Sequence, residues 1–186
     1  MVDHLKRTYT DAKVGIAFVY CSYKDPKQTP ETLMASLLRQ FAQRLPLLPE
    51  EIRKMYKQYN KEKIRPSLAE YLHLLHKVAR MFSQAFLLVD ALDECKEDDG
   101  ARKRLLAALR DLSASFRIFV TSRWIPAIES EFSEALKLEI RADSNDVAEY
   151  VRSRIATTPR LMRHMEADPM LESLISRKIV DNCHGM

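Results

Sequence analysis

Three mainly apolar runs dominate the hydrophobic pattern, at residues 15–21, 85–89 and 116–121. Short apolar runs rich in aliphatic and aromatic residues predict strands that are buried on both faces of a sheet. Residues 136–140 (Leu-Lys-Leu-Glu-Ile) instead alternate between apolar and polar, which predicts a strand nearer a sheet edge. Between the runs, apolar residues recur at helical spacing. This alternation of strands and helices predicts βαβ units and a mainly parallel α/β sheet.

Capping residues mark where two of the helices begin. Thr29 and Pro30 provide an N-cap and a proline at the first helical position. Ser67 and Glu70 have the spacing of a capping box, in which each residue bonds the backbone N–H of the other. The helix that starts at Ser67 is therefore expected to lead into the strand at residues 85–89.

A change of pattern after residue 140 divides the chain. Strands and helices alternate up to that point, whereas the apolar spacing beyond it is helical throughout. The first of the later helices is expected to be capped by Ser144. We therefore expect residues 1–140 to form an α/β core and residues 141–186 to begin a helical subdomain.

The composition is that of a soluble globular protein. Of the 186 residues, 46% are hydrophobic and 30% are charged, and the net charge of +4 is spread along the chain. Nucleic-acid binding is disfavoured because it requires clustered Lys and Arg. The cysteines Cys21, Cys95 and Cys183 lie far apart and suggest neither a disulfide framework nor a zinc site. No apolar run could span a bilayer, so we expect a cytoplasmic protein without a membrane partner.

Three carboxylates follow the second apolar run within five positions: Asp90, Asp93 and Glu94. A buried strand that ends in acidic residues places negative charge at the carboxyl edge of a sheet, where open α/β folds bind ligands. In P-loop NTPases an aspartate there helps to hold the Mg²⁺ of a nucleotide, and a second acid can polarise the attacking water. The alternative is an acidic turn that complements the dipole of the following helix.

A second polar group follows the third apolar run, which ends in Thr121, Ser122 and Arg123. In a parallel sheet both strand ends lie on one edge, so we expect Arg123 to face what Asp90 and Glu94 face. Arginine suits a terminal phosphate because its fork donates two hydrogen bonds and keeps its charge. Together the two strand ends favour a phosphate site over unrelated surface residues. The next residue, Trp124, is expected to pack against the loop and fix it; the alternative is a position near a nucleotide base or a partner.

Two stretches resemble motifs of one family. Residues 86–94 (Phe-Leu-Leu-Val-Asp-Ala-Leu-Asp-Glu) resemble the Walker B motif of NACHT-type STAND ATPases, the nucleotide-switch modules of NOD-like receptors. Residues 117–123 (Arg-Ile-Phe-Val-Thr-Ser-Arg) resemble the sensor 1 strand of that family. The likeness is strongest to the fungal type, also called the nephrocystin-3-like N-terminal domain, and covers essentially the whole chain. It implies a three-layer P-loop NTPase fold of the AAA-like type.

The resemblance implies a role for each residue at the predicted edge. Asp90 would be the acid associated with Mg²⁺. Asp93 and Glu94 would be catalytic, with Glu94 orienting the hydrolytic water. Ser122 and Arg123 would contact the nucleotide, with Arg123 sensing the γ-phosphate. The cofactors of the complete module would be ATP or GTP together with Mg²⁺.

The chain departs from the family in lacking a G-x-x-x-x-G-K-[ST] motif, which its glycines Gly15, Gly100 and Gly185 cannot supply. Without the phosphate-cradling amides and the lysine of that motif, we expect this chain to bind no nucleotide by itself. We expect a module cut at both ends, without its first strand and Walker A loop. The family's strand order would place that strand between residues 116–121 and 136–140. Its absence predicts either an open gap or closure of the two strands on each other.

Two functional hypotheses follow. The first is a piece of a NACHT/STAND nucleotide-dependent oligomerisation switch for signal transduction, of the innate-immunity or heterokaryon-incompatibility type. Such a module would self-associate and contact other domains of a full-length protein. The second is a non-catalytic interaction module that retains the NTPase fold. An unrelated hydrolase is disfavoured, because the nearest histidine, His76, lies on the preceding helix without a nucleophile pattern. Whether the chain is an enzyme stays open.

Overall fold

The computed structural model describes residues 1–11, 13–141, 143–168 and 170–183. The chain divides into two compact units, Met1–Glu134 and Ala135–Met186. Strands and helices alternate in the first unit, whereas the second is helical. The assignment of residues 1–140 to a NACHT core and of residues 141–186 to a lid subdomain stays a prediction.

The first unit contains six helices and three strands among its described residues. Their bounds are α1 Val2–Thr8, β1 Val14–Tyr20, α2 Pro30–Arg44, α3 Glu50–Glu62, α4 Leu68–Ala79, β2 Gln84–Asp90, α5 Ala101–Leu112, β3 Arg117–Val120 and α6 Pro126–Glu131. Short 3₁₀ turns lie at Leu92–Glu94 and Asp98–Gly100. Each of the three predicted apolar strands is confirmed to within one residue at either end.

The strands form a parallel sheet in the order β1-β2-β3. Tyr20 at the end of β1 is in register with Asp90 at the end of β2. Val89 is likewise in register with Val120 of β3. The carboxyl ends of all three strands therefore lie at one edge, and the polar residues that follow them meet there.

The predicted caps start α2 and α4. Thr29 Oγ1 accepts a hydrogen bond from the N–H of Thr32 at 3.2 Å, and Thr32 Oγ1 accepts one from the N–H of Thr29 at 2.8 Å. At α4, Glu70 Oε2 accepts from the N–H of Ser67 at 2.8 Å. These side chains satisfy N–H groups that have no partner within the helix.

Helices α2, α4 and α5 cover one face of the sheet and enclose the main core with it. The largest side chains that are fully buried there are Met34, Leu37, Phe41, Leu75, Leu87, Leu92, Leu105, Leu109 and Leu112. Gly15 allows α2 to approach β1 closely, because a Cβ at that position would lie 2.9 Å from Cε1 of Phe41. Such a distance is shorter than van der Waals contact, so any residue larger than glycine at position 15 would force the ring of Phe41 to shift.

Helix α1 lies on the opposite face of the sheet. Its Val2 and Leu5 pack against a smaller cluster formed by Val14, Ile16 and Leu88. The sheet thus has helices on both faces. The predicted fold class, a three-layer α/β fold with a parallel, P-loop-like sheet and a following helical segment, is confirmed.

The second unit contains α7 Ser144–Thr157, α8 Pro159–Ala167 and α9 Leu171–Cys183. Its buried apolar residues on α7 are Val151 and Ile155. The predicted cap is wrong by one residue: Asp143 is the N-cap of α7, and its Oδ1 accepts from the N–H of Asn145 at 2.7 Å. Across the described part of both units, no helix has the length and apolar character needed to cross a bilayer.

The strand predicted at residues 136–140 is wrong, because this segment forms no regular secondary structure. The side chains of Leu136, Leu138 and Ile140 are 106%, 84% and 78% exposed. Alternation of apolar and polar residues indicates which faces a strand would present, but a strand also needs a neighbour to bond. The expected closure of this segment on β3 is not observed, since the described sheet ends at β3, and a gap between two strands is not formed either because residues 136–140 are not a strand.

Candidate functional site

Hydrogen bonds around Asp90 and Thr121 join the carboxyl ends of β2 and β3. Thr121 Oγ1 donates to Asp90 Oδ1 and accepts from the N–H of Ala91, the latter at 2.9 Å. The N–H of Thr121 donates to the C=O of Val89 at 2.9 Å, and its own C=O accepts from the N–H of Leu92 at 2.9 Å. One threonine therefore extends the sheet beyond its strands and holds the Asp90 carboxylate at the edge.

The acidic turn after β2 begins with a strained residue. Ala91 adopts the left-handed conformation, with φ 54° and ψ 50°. For a residue with a Cβ this costs about 1–2 kcal/mol. The turn that it makes buries Leu92 completely in the core, and the buried leucine anchors the two acidic residues that follow. Strained backbone of this kind is concentrated at functional sites.

Asp93 contacts Arg123 across the edge. Its Oδ1 accepts from the backbone N–H of Arg123 at 3.1 Å, and its Oδ2 lies 3.6 Å from Arg123 Nε. The side chain of Asp93 is 11% exposed, whereas that of Arg123 is 87% exposed. We expected Arg123 to face the same ligand as Asp90 and Glu94, which stays a prediction; its described side-chain partner is Asp93. The contact fixes the backbone of Arg123 and leaves most of its guanidinium in solvent, where it can bind an anion.

The residues on either side of Arg123 contribute differently. Ser122 Oγ donates to the C=O of Arg123 at 2.7 Å, so its hydroxyl stabilises the loop. Trp124 was expected to pack against the loop, and this prediction is wrong because the residue is 76% exposed. The strand before Trp124, β3, is short and lies at the edge of the described sheet. The indole therefore has little core surface to pack against there.

A buried thiol lies next to the acidic residues. The pKa of Cys21 is raised from its ordinary 9.0 to about 12, mainly by burial and in smaller part by the nearby Cys95 thiol and the carboxylates of Asp90, Asp93 and Glu94. The thiol of Cys21 therefore stays neutral. All three predicted acids therefore lie close enough to the Cys21 thiol to raise its pKa. The sequence did not indicate that Cys21 and Cys95 are neighbours, although Cys21 is the last residue of an apolar run and thus belongs to the same edge.

Arg102, near the start of α5, stabilises the acidic turn by hydrogen bonds to its backbone carbonyl groups. Its Nε donates to the C=O of Cys95 at 3.0 Å, and its Nη2 donates to the C=O of Asp93 at 3.2 Å. Its Nη1 also lies 2.5 Å from Glu97 Oε2, and the side chain is only 15% exposed. Sequence reasoning missed this residue, because an arginine in the first turn of a helix has no pattern that marks it as buried.

A cavity of about 360 Å³ opens beside Asp90 and Thr121. Its other walls include Phe119 of β3 and the α1 residues Asp3 and Lys6. This volume is at the lower end of the range for ligand pockets, about 300–1,000 Å³. Acidic, basic and hydroxyl groups thus converge on a partly apolar space at the carboxyl edge.

The donor set at this edge can be tested against Mg²⁺. Among the residues that the structure describes, no group of three or more His, Cys, Asp and Glu side chains could hold a metal ion alone. Mg²⁺ instead binds most often through one or two carboxylates together with phosphates and water. Asp90, fixed by Thr121, fits that second arrangement. The residues therefore suit an ion that arrives with a nucleotide.

A separate polar cluster joins α4 to the turn before β3. His76 Nδ1 lies 2.7 Å from Ser115 Oγ, and His76 Nε2 lies 2.8 Å from Asp111 Oδ2. The three residue types are those of a hydrolytic triad. However, Ser115 precedes β3, so the cluster lies at the amino edge of the sheet, away from the edge where such folds bind ligands. We interpret it as a link between helices.

Comparison with family models gives one match, over residues 1–123, to the family described as Nephrocystin 3, N-terminal. The match covers well over half of the chain and includes both polar strand ends. The chain therefore belongs to the nephrocystin 3 N-terminal family, a NACHT-like domain, and the family predicted from its sequence is confirmed. Comparisons with curated proteins and with solved structures found no match.

Proposed function

We propose that this chain supplies the acid and arginine side of a NACHT-type nucleotide site. The observation that carries the proposal is the meeting of two strand ends, where Thr121 holds Asp90 and Asp93 holds Arg123. The carboxyl edge of a parallel sheet is the usual ligand site of open α/β folds. Family membership supports the same reading.

Each residue takes a distinct role in this proposal. Asp90 binds Mg²⁺, which when bound offsets the charge of the phosphates. Glu94 orients and polarises the hydrolytic water. Asp93, first assigned to catalysis beside it, acts mainly by holding Arg123. Ser122 stabilises the loop, and Arg123 contacts the γ-phosphate through its exposed guanidinium.

The proposed biological role is that of a nucleotide-dependent oligomerisation switch. It corresponds to the fungal NOD-like receptor type, acts in cytoplasmic signal transduction, and associates with itself and with other domains. ATP or GTP with Mg²⁺ would serve a module that includes a phosphate-binding loop. This chain contains no G-x-x-x-x-G-K-[ST] motif, so we propose that it binds neither nucleotide on its own.

Calorimetric titration with MgATP tests the site. We expect no micromolar binding to this chain, and we expect binding once a strand, a phosphate-binding loop and a helix precede Met1. In that longer polypeptide Asp90→Ala should weaken Mg²⁺-dependent binding, whereas Glu94→Gln should slow hydrolysis and leave binding intact. Glu134→Gln, which changes an exposed acid outside the acidic turn, is the control. Equal loss of binding in both edge variants would contradict the assigned roles.

The role of Arg123 is tested in the same polypeptide. Arg123→Ala should reduce discrimination between ATP and ADP, and Asp93→Asn should reduce it partially because the arginine is no longer held. Arg39→Ala, which removes an exposed arginine of α2, is the matched control. An unchanged ratio of the two affinities in Arg123→Ala, with a normal melting curve, would exclude γ-phosphate sensing.

A second candidate function is a non-catalytic interaction module. It is favoured by the outer edge of β3, where the described sheet ends without a further strand. Exposed strand edges are templates for pairing with another chain. The oligomeric state measured with and without nucleotide separates the two candidate functions. Only the nucleotide-dependent switch requires that added nucleotide change the oligomeric state.

A further inference from the structure

The three acids at the carboxyl edge differ in how their side chains are held. Thr121 Oγ1 donates to the carboxylate of Asp90, and the carboxylate of Asp93 accepts from the backbone N–H of Arg123. The carboxylate of the half-buried Glu94 has no hydrogen-bond or ion-pair partner among the residues that the structure describes. The position of Glu94 therefore depends on the backbone of the turn that carries it.

The start of that turn, where it leaves β2, is fixed by its own contacts. Leu92 is completely buried in the core, and its N–H donates to the C=O of Thr121 at 2.9 Å. The N–H of Glu94 donates to the C=O of Ala91 at 2.9 Å. A short 3₁₀ turn has poor hydrogen-bond geometry, so its far end needs a partner from another element.

Arg102 supplies that partner, and all three nitrogens of its guanidinium are engaged. Nε and Nη2 donate to the C=O of Cys95 at 3.0 and 2.8 Å, Nη2 also donates to the C=O of Asp93 at 3.2 Å, and Nη1 lies 2.5 Å from Glu97 Oε2. The two carbonyl groups belong to the residues on either side of Glu94. One planar fork therefore holds the backbone before and after that acid.

The chain folds back after the acidic turn, which allows Arg102 to reach it. Asp99 and Gly100 both have positive φ values, of 54° and 67°. The N–H of Arg102 then donates to the C=O of Lys96 at 3.2 Å. Helix α5 is packed in the core through residues such as Leu105, so the guanidinium is attached to a rigid element.

We propose that Arg102 is a positioning residue for hydrolysis, which orients Glu94 towards the attacking water by holding the backbone on both sides of it. The inference rests on the proposed function, since it takes Glu94 as the residue that polarises the water. Arg102 is then needed for the rate of hydrolysis but not for nucleotide binding. The reason is that Asp90 and Arg123, the residues proposed to bind Mg²⁺ and phosphate, are held by other side chains.

Residue-resolved hydrogen exchange of the chain tests whether Arg102 fixes the turn. Arg102→Lys keeps the positive charge but loses the planar fork. The N–H groups of Glu94 and Cys95, which bond within the 3₁₀ turn, should exchange at least about tenfold faster in this variant. The N–H groups in the middle of α5 should be unchanged. Arg104→Lys, which alters an arginine of the same helix that pairs with Glu31, is the matched control and should leave the turn unchanged.

Single-turnover hydrolysis and titration with MgATP test the consequence for the chemistry. They use the longer polypeptide, in which a phosphate-binding loop precedes Met1. Arg102→Lys should slow hydrolysis by at least about tenfold, because displacing a reacting group by about 1 Å can cost about a hundredfold in rate. The Kd for MgATP should stay unchanged. Arg104→Lys should alter neither the rate nor the Kd.

A double variant separates positioning from a general loss of structure. Arg102→Lys combined with Glu94→Gln should hydrolyse MgATP no more slowly than Glu94→Gln alone. An arginine that acts only through Glu94 has nothing left to position once that carboxylate is gone. A general structural defect would instead multiply the two effects.

Four outcomes would overturn the inference. The first is exchange of the turn in Arg102→Lys that matches the wild type. The second is a slowing of hydrolysis that multiplies with that of Glu94→Gln or is accompanied by an equal loss of binding. The third is normal hydrolysis in Arg102→Lys while Glu94→Gln is slow, which leaves the proposed function intact. The fourth is a longer polypeptide that binds no MgATP, or a Glu94→Gln variant with the wild-type rate, because either result overturns the proposed function as well.

Discussion

The outer edges of β1 and β3, the two outer strands of the sheet, differ in their hydrogen-bond partners. The outer edge of β1 is bonded by the amides of Gln28 and Gln40, whereas that of β3 has no described partner. Both strands are parallel to β2, so topology alone does not explain the difference. The comparison teaches that one edge is closed by side chains of its own unit, while the other keeps its strand geometry without a described hydrogen-bond partner on its outer side.

The two strands also differ in packing, since β1 is more deeply buried than β3. β1 has seven residues, most of them buried, and a Cβ added at its Gly15 would lie 2.9 Å from the ring of Phe41. β3 has four residues, and Arg117 and Phe119 on it are exposed. We therefore expect small changes on the β1 side to cost much and larger changes on the β3 side to cost little. The predictions below test this comparison in order of decreasing effect.

Gly15→Ala should have the largest effect. The added Cβ would lie 2.9 Å from Phe41 and 3.0 Å from Phe82, two packed rings that have little room to move. We expect a loss of about 1–3 kcal/mol in the free energy of unfolding, measured by urea denaturation. Phe119→Ala removes a whole ring from β3 and should cost less. Equal costs for the two variants would contradict the comparison.

Gln40→Leu should open the β1 edge. It leaves the N–H and C=O of Phe18 without their partners, at a cost of about 1–2 kcal/mol. Gln43→Leu, on the exposed face of the same helix α2, is the matched control and should change little. If closure by Gln40 matters, Gln40→Leu should also associate more readily than the wild type. Identical melting curves for the two variants would show that the amide is dispensable.

Thr121→Val should loosen the carboxyl edge. The variant keeps the shape of the side chain but removes the hydroxyl that bonds Asp90 and Ala91. The expected loss in the free energy of unfolding is about 1 kcal/mol. Ser122→Ala removes the neighbouring hydroxyl, which bonds only within its loop, and is expected to cost less. A larger loss for Ser122→Ala would mean that we have misidentified the organising hydroxyl.

Cys21 should make stability sensitive to alkaline pH, with the smallest effect. Its folded pKa of about 12 exceeds the ordinary 9.0, so the unfolded chain releases its proton first. The contribution of Cys21 is therefore complete below pH 9 and is lost as the pH rises towards 12. Cys21→Ala should flatten this part of the stability profile. Superimposable slopes for variant and wild type between these pH values would contradict the assignment.

The sequence predicted the regular elements well where local signals determine them. The caps at Thr29 and Ser67 are bonds between near neighbours, and the apolar runs mark strands that any parallel sheet would bury. The strand predicted at residues 136–140 was wrong because a strand needs a hydrogen-bonding neighbour, which a local pattern does not reveal. The cap of α7 failed because Asp143 and Ser144 are both good caps, and local propensity does not separate them.

The candidate site was predicted in outline. Parallel topology alone brings Asp90 and Arg123 to the same edge. The partner of Arg123 could not be predicted, because it depends on the left-handed turn at Ala91, a conformation that alanine rarely adopts. The neighbouring thiols of Cys21 and Cys95 were missed for a related reason, since their approach is set by how that turn folds back. The functional roles of the edge residues stay predictions.

Residue-resolved hydrogen exchange tests the central contrast most directly. At the lowest workable protein concentration, the N–H of Phe18 should exchange slowly because Gln40 binds it. The outward N–H groups of Ile118 and Val120 should exchange rapidly under the same conditions. Slow exchange at all three positions, unchanged on dilution, would show that the edge of β3 is already closed within one molecule and would contradict the account.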